Sequence, residues 1–100
     1  MLHTVNKSPF ERTALATCLR YARSGDAILL YEDGVYAARK AQTTTADVAA
    51  AAAKFKLFVL GPDLEARGVA ADQVIDGIRI VDYEGFVDLV AENGPVQAWL

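Results

Sequence analysis

The stretch Leu2-His3-Thr4-Val5-Asn6-Lys7-Ser8-Pro9-Phe10-Glu11 decides the fold, because a short apolar strand runs there directly into a helix start. Residues 2–5 are apolar enough on both faces for a strand that is covered on both sides. Ser8 is the predicted N-cap of the next helix, Pro9 its first residue and Glu11 the return partner of a capping box. The opening therefore predicts a buried β-strand followed by an α-helix.

Three more apolar runs alternate with helical stretches along the chain. The predicted strands are 27–30, 57–60 and 78–81, with an edge strand over 96–100. The first predicted helix ends near Ala22, two more span 46–53 and 83–92, and one or two helical turns after Gly61-Pro62-Asp63 end at Gly68. Strands that alternate with helices favour a parallel sheet built from right-handed crossovers. We therefore expect one α/β domain over residues 1–100. Its expected form is a small flavodoxin-like three-layer fold, with a mostly parallel sheet of four or five strands and helices on both faces.

The composition limits the classes of partner. The net charge is −3 and no run of Lys or Arg occurs, so the chain lacks the cationic surface that nucleic acid or an anionic membrane requires. No apolar run approaches the ~20 residues of a spanning helix, and the opening lacks the basic-then-apolar order of a signal peptide. Much of the 53% hydrophobic content is alanine, which buries little area and favours stabilisation by subunit contacts. We expect a cytoplasmic protein that contacts neither membrane nor nucleic acid directly.

The counts of cysteine and histidine bear on metal and disulfide chemistry. One cysteine cannot close an internal disulfide, and one cysteine with one histidine cannot furnish a zinc quartet without carboxylates. We expect neither a metal site nor a cofactor.

Eight short pieces of the chain, in order and at family spacing, resemble the DsrH/TusB family. They are Leu2-His3-Thr4, Ser8-Pro9-Phe10-Glu11, Gly25-Asp26, Glu32-Asp33-Gly34-Val35-Tyr36-Ala37, Leu64-Glu65-Ala66-Arg67-Gly68, Val81-Asp82-Tyr83, Phe86-Val87 and Gln97-Ala98-Trp99. No single piece is diagnostic, but together they cover almost the whole chain. The opening residues and the presence of Cys18 are more similar to the DsrH branch than to the TusB branch.

The resemblance implies a fold, partners and a function. Members of this family are similar in having a small DsrE-like α/β fold and in joining two paralogous subunits, DsrE/DsrF-like or TusD/TusC-like, in a heterohexamer of two heterotrimers. Such a complex passes persulfide sulfur from an upstream carrier protein to a downstream one. In one branch the sulfur reaches the 2-thiouridine of tRNA wobble positions, and in the other it belongs to intracellular sulfur oxidation.

The chain departs from the sulfur-bearing paralogue after the third strand. The resemblance places the acceptor cysteine of that paralogue between this strand and a helix that ends in Arg-Gly. Here Leu60-Gly61-Pro62-Asp63 occupies the junction, while Arg67-Gly68 still closes the helix. The resemblance therefore implies a non-acceptor subunit, with an auxiliary or structural part in the transfer.

Cys18 is the only side chain able to form a persulfide, because sulfane transfer requires a thiolate. On a helical wheel it lies near the middle of the apolar arc of the first helix, where a cysteine is most simply a core residue. No cation stands one turn away, and the helix start is too distant to stabilise the thiolate. Two interpretations stay open, which are inert packing and an auxiliary thiol at a subunit interface.

Four further polar residues have a structural and a functional interpretation. His3 is either a buried, hydrogen-bonded side chain or a proton donor near an interface. Glu32 and Asp33 stand where open α/β sheets place ligands, but Asp33-Gly34 is more simply a turn with Asp33 as a helix cap. Asp63 is likewise predicted to cap a helix, because a carboxylate competes with any anion for the same backbone donors.

One acidic stripe and three aromatic residues are candidates for contact surfaces. An acidic stripe of this kind is usually solvated, although it also suits a basic carrier protein, and the aromatic residues suit either an interface or the edge of the core. The stripe is Glu84, Asp88 and Glu92, and the aromatic residues are Tyr36, Tyr83 and Trp99.

Three functional hypotheses follow. The first is an auxiliary subunit of a persulfide-relay complex. The second is a sulfurtransferase in its own right, with Cys18 as persulfide acceptor. The third, a nucleotide-binding protein, is disfavoured because no loop forms a glycine-rich phosphate cradle.

Overall fold

The computed structural model describes residues 1–100 and contains one five-stranded sheet with helices on both faces. The strands are β1 Leu2–Val5, β2 Ala27–Leu30, β3 Lys56–Leu60, β4 Ile78–Val81 and β5 Val96–Trp99, and the α-helices are α1 Ala14–Tyr21, α2 Thr45–Ala51, α3 Gly61–Ala66 and α4 Tyr83–Asn93. Two 3-10 segments span Glu32–Ala38 and Ala71–Gln73. None of the helices combines the length and apolar character that crossing a bilayer requires.

All strand pairs are parallel, and the order in the sheet is β4-β3-β2-β1-β5. The expected α/β class, with a parallel sheet covered on both faces, is confirmed. The strand order differs from the flavodoxin-like order 2-1-3-4-5. The flavodoxin-like order would place β2 at an edge of the sheet, but Ala27–Leu30 is buried throughout. The observed edge strands, β4 and β5, carry the polar residues Arg79 and Gln97. The chain thus leaves its most polar strands at the edges, where one side of each meets solvent.

The two faces of the sheet are covered unequally. Three successive crossovers step in the same direction from β1 to β4, so right-handedness places their helices on one face, and the return to β5 places α4 alone on the other. The larger core contains Cys18, Ile28, Val35 and Val59, together with residues of α1, α2 and α3. The smaller core lies under α4, where Leu89 packs with Leu2 and Leu29.

The helix predicted after Ser8 begins later than its cap signals indicate. The Ser8 hydroxyl accepts the Phe10 N–H at 3.2 Å, but this closes only a turn, and α1 starts at Ala14. Residues 10–12 are exposed, so no tertiary packing stabilises a short helical turn there. The predicted Asp82 cap is confirmed, because its carboxylate accepts the Gly85 N–H at 2.8 Å.

Candidate functional site

The carboxyl ends of β2 and β3 meet at the edge where parallel sheets place ligands, and two cross-links join them. The Asp63 carboxylate accepts the Glu32 N–H at 2.6 Å. Arg67 donates its Nε–H to Asp33 Oδ1 at 2.9 Å and an Nη1–H to the Asp63 carbonyl at 3.4 Å. We call these four residues the β2–β3 clasp. The clasp holds the 3-10 segment Glu32–Ala38 against α3 at this edge of the sheet.

The clasp revises two predictions about carboxylates. Asp63 does not cap α3, because its side chain reaches across to Glu32, whose φ of 48° lies in the left-handed region. Asp33 does not cap the 3-10 segment either, because it pairs with Arg67. Long-range partners outcompete the local backbone donors at both positions.

The junction between β3 and α3 contains no sulfur. Leu60 and Gly61 continue the strand directly into the helix. A Cβ at Gly61 would be in tight contact with its neighbours, 3.1 Å from Ile80 Cγ2 and 3.3 Å from the Val81 carbonyl oxygen. A groove of about 650 Å³ runs beside the junction, and its lining includes the apolar residues Val69 and Ile80 and the acidic residues Glu65 and Asp82. The groups at this edge can pair charges and accept hydrogen bonds, but none is a nucleophile for sulfur.

Cys18 lies on α1 and is completely buried in the larger core. Burial raises the pKa of its thiol from 9.0 to about 12, and the negative charge of Asp26 adds to the rise. At neutral pH only a minute fraction of the Cys18 side chain is therefore ionised to the thiolate, and the neutral thiol is a poor nucleophile. The position of Cys18 is the one expected of a packed side chain.

The buried side chain of His3 stands at the centre of a hydrogen-bond network that joins β1, β5 and the loop before β2. Trp99 Nε1–H, which can only donate, lies 3.1 Å from His3 Nδ1, so Nδ1 is the acceptor and Nε2 carries the proton. Nε2 then donates to Asp26 Oδ2 at 2.9 Å, and the same oxygen accepts the Arg23 N–H. The prediction of a buried, hydrogen-bonded His3 agrees with this geometry. The outer face of Trp99 stacks on Tyr21 at 6.2 Å between ring centroids.

The hydrogen bonds to Asp26 lower its pKa. The largest effect comes from the Arg23 N–H and the next from His3, with a smaller contribution from the N-terminal amine 3.4 Å away, and together they bring the pKa from 3.8 to about 2. Asp26 is thus a stable anion that fixes the tautomer of His3.

The structure brings some of the candidate residues together and leaves others apart. Glu32 and Asp33 join Asp63 in the clasp, His3 joins Trp99, and the acidic stripe lies along α4. No three His, Cys, Asp or Glu side chains gather in an arrangement able to hold a metal ion.

Sequence reasoning gave no role to Asp26 or Arg67. Asp26 contacts His3, which is 23 positions away, and Arg67 contacts Asp33, which is 34 positions away. A local sequence pattern cannot predict partners at such separations. The only available signal was their place in the pieces Gly25-Asp26 and Arg67-Gly68.

Comparison with known proteins identifies the relatives of this fold. The family model described as "DsrH like protein" matches residues 7–96. Protein TusB of Pectobacterium parmentieri is 39% identical over 99 residues, which is 99% of this chain and 100% of the relative. Protein TusB of Erwinia tasmaniensis is 40% identical over the same shares of the two chains.

Solved structures resemble the fold at lower sequence identity. The ychN protein of E. coli superposes with a TM-score of 0.81 at 16% identity, covering 97% of both chains. A protein of Methanobacterium thermoautotrophicum superposes with a TM-score of 0.76, also at 16% identity, covering 97% of this chain and 95% of its own. These likenesses concern the fold alone. The family match and the full-length TusB relatives establish that the chain belongs to the DsrH-like family, the DsrH/TusB family that its sequence pieces resemble.

Proposed function

We propose that this chain is an auxiliary subunit of a cytoplasmic sulfur-relay complex, and that it supports persulfide transfer between cysteines of carrier proteins without carrying the sulfur itself. One observation carries the proposal. At the edge where the paralogous subunit is expected to hold its acceptor cysteine, this chain has the β2–β3 clasp, and its β3–α3 junction contains no thiol. The burial of Cys18 adds support, because the only thiol of the chain is sealed in the core.

The chemistry assigned to the complex is thiol exchange. A thiolate on a paralogous subunit attacks the outer sulfur of a carrier persulfide, a new S–S bond forms as the old one breaks, and the carrier leaves as a thiolate. Electrons balance within the exchange, so no external oxidant or cofactor takes part. Both branches of the family, intracellular sulfur oxidation and tRNA wobble-uridine 2-thiolation, use such a step. The part of this chain is to hold the paralogous subunits in position.

Co-purification tests membership of a complex. When the tagged chain is co-expressed with the DsrE-like and DsrF-like (TusD/TusC-like) subunits of the same genome, we expect all three to elute together in size-exclusion chromatography at a mass well above that of a single chain. Light scattering on the eluted peak gives the stoichiometry. A tagged chain that elutes alone, while both paralogues are soluble, would contradict the proposal.

Intact-mass spectrometry tests the role of Cys18. After the native chain is incubated with a persulfide donor, we expect no adduct of about 32 Da, the mass of one sulfur atom, because the buried thiol does not ionise. The denatured chain should accept the sulfur, which shows that the donor is active, and Cys18→Ser should accept none in either state. A native adduct that is lost in Cys18→Ser would instead support a sulfurtransferase with Cys18 as acceptor.

A further inference from the structure

The hydrogen bonds of His3 leave no place for a second proton on its imidazole. Nδ1 accepts the Trp99 Nε1–H at 3.1 Å, and Nε2 donates its proton to Asp26 Oδ2 at 2.9 Å. The imidazole is therefore neutral while Trp99 stays in this position. A proton on Nδ1 would set two N–H donors against each other, so the Trp99 hydrogen bond and the imidazolium exclude one another.

An imidazolium at His3 has a counterion already in place. The pKa of Asp26 is lowered to about 2, chiefly by the Arg23 N–H, so this carboxylate stays negatively charged. It would hold a charged imidazole through the hydrogen bond that Nε2 already donates, and a charged donor strengthens such a bond. Protonation of His3 therefore keeps its contact with Asp26 and removes only its contact with Trp99.

Few other titratable or charged groups surround His3. The N-terminal amine lies 3.4 Å from Asp26 Oδ1, and its positive charge acts against the imidazolium. The side chain of Arg23, in the loop before β2, is exposed to solvent. The side chains that α1, β2 and β5 bring to this region carry no charge at neutral pH, and they are Cys18, Tyr21, Ile28 and Gln97. Asp26 is thus the one anion in contact with His3.

Trp99 is the member of this network that moves at the least cost. It is the last residue of β5, which is an edge strand, and its ring stacks on that of Tyr21, which is 67% exposed. His3, by contrast, is 3% exposed on the interior strand β1. A conflict between the two donors is therefore relieved by movement of the indole and not of the imidazole.

We propose that His3 and Trp99 form a pH-sensitive switch, in which protonation of His3 at Nδ1 releases the Trp99 side chain while the imidazolium stays paired with Asp26. The proton comes from solvent, and the Trp99 hydrogen bond is the only bond that breaks. Histidine is the side chain that takes up a proton between about pH 8 and about pH 5, so Trp99 is docked above this range and released below it. The switch couples the charge of β1 to the packing of β5 and, through Tyr21, of α1. This inference goes beyond the proposed function and does not depend on it.

The single tryptophan and the single histidine of the chain report the two halves of the switch separately. In a chain without an affinity tag, NMR of the imidazole follows the protonation of His3, and fluorescence follows the exposure of Trp99. From about pH 8 to about pH 5 we expect a red shift of the emission maximum and a loss of protection of the indole from acrylamide. Both changes should share the midpoint of the imidazole titration. The far-UV circular dichroism should stay constant, because the sheet remains folded.

His3→Gln is the matched control. Its amide oxygen can accept from Trp99 and its amide nitrogen can donate to Asp26, but it takes up no proton in this range. The emission of this variant should therefore be independent of pH. Asp26→Asn removes the anion that stabilises the imidazolium, so it should move the midpoint of both signals to lower pH. This second variant provides the comparison if His3→Gln does not fold.

Three results would overturn the proposal. In the first, the imidazolium forms while the emission maximum and the acrylamide quenching stay unchanged, which means that Trp99 has remained in place. In the second, His3 takes up no proton until the chain unfolds, which means that Trp99 holds the imidazole neutral. In the third, the red shift is equally large in His3→Gln, or its midpoint is the same in Asp26→Asn, which means that another group controls the position of Trp99.

Discussion

Gly34→Ala should lower the free energy of unfolding by about 3 kcal/mol, or prevent folding altogether. A Cβ at position 34 would overlap the carbonyl oxygen of Val5, which is a backbone atom and not the movable end of a side chain. The Val5 carbonyl cannot move aside, because Val5 is completely buried on an interior strand of the sheet and its carbonyl accepts the Tyr31 N–H at 3.1 Å. Urea unfolding followed by circular dichroism measures the loss.

Gly25→Ala separates this steric effect from torsional strain. Gly25 has a φ of 88°, but no atom lies within 4 Å of the position of its missing Cβ. Its replacement should therefore cost only about 1 kcal/mol, the strain of a left-handed alanine. Equal losses at Gly25 and Gly34 would show that the close approach of the 3-10 segment to β1 is not what requires Gly34.

The local sequence pattern at Asp33-Gly34 misidentifies the reason why a glycine is required at position 34. The pair Asp33-Gly34 is typical of a turn that needs a positive φ, yet the left-handed residue here is Glu32 and Gly34 is needed for a close contact. That contact joins Gly34 to Val5, which lies 29 positions earlier in the chain. Rules for turns concern a few consecutive residues, so they cannot predict a contact with Val5.

The strands show the opposite case. Strands 2–5, 27–30 and 78–81 were predicted with the bounds observed. Short apolar runs such as 27–30 have few alternatives to a covered strand, but 78–81 proves to be an edge strand with Arg79 and Ile80 exposed rather than a strand covered on both faces. The expected flavodoxin-like order of the strands was wrong, although the sequence contained part of the signal for the observed order. Arg79 and Gln97 mark β4 and β5 as edge strands, and that observation alone excludes an order with β2 at the edge.

The site was predictable only where its chemistry is local. The missing sulfur nucleophile at the β3–α3 junction can be read directly from Leu60-Gly61-Pro62-Asp63. The clasp beside this junction could not be predicted, since Asp63 and Glu32 are 31 positions apart. The partner of His3 is harder still, because Trp99 lies 96 positions away and meets it only after β5 has inserted beside β1.

Asp26→Ala should lower the free energy of unfolding by about 2–3 kcal/mol. Removal of the carboxylate leaves the Nε2–H of His3, whose residue is only 3% exposed, without an acceptor inside the protein. The Arg23 N–H loses its partner as well. Since Trp99 is the only tryptophan and is hydrogen-bonded to the same imidazole, its fluorescence in the folded state should change too.

Asp26→Asn is the matched control, because its amide oxygen can still accept from His3 and Arg23, while the charge and the second acceptor, which faces the N-terminal amine, are removed. In the unmodified chain the pKa of Asp26 is depressed from 3.8 to about 2, so its charge contributes stability above pH 3.8 that is lost as the pH falls toward 2. The contribution is about 1–2 kcal/mol after allowance for partial solvent screening. Asp26→Asn should therefore be less destabilised than Asp26→Ala at pH 7, and its stability should decline less between pH 4 and pH 2. An acid decline as steep in Asp26→Asn as in the unmodified chain would mean that another carboxylate controls acid unfolding, and that the network around His3 is held by hydrogen-bond geometry rather than by the charge of Asp26.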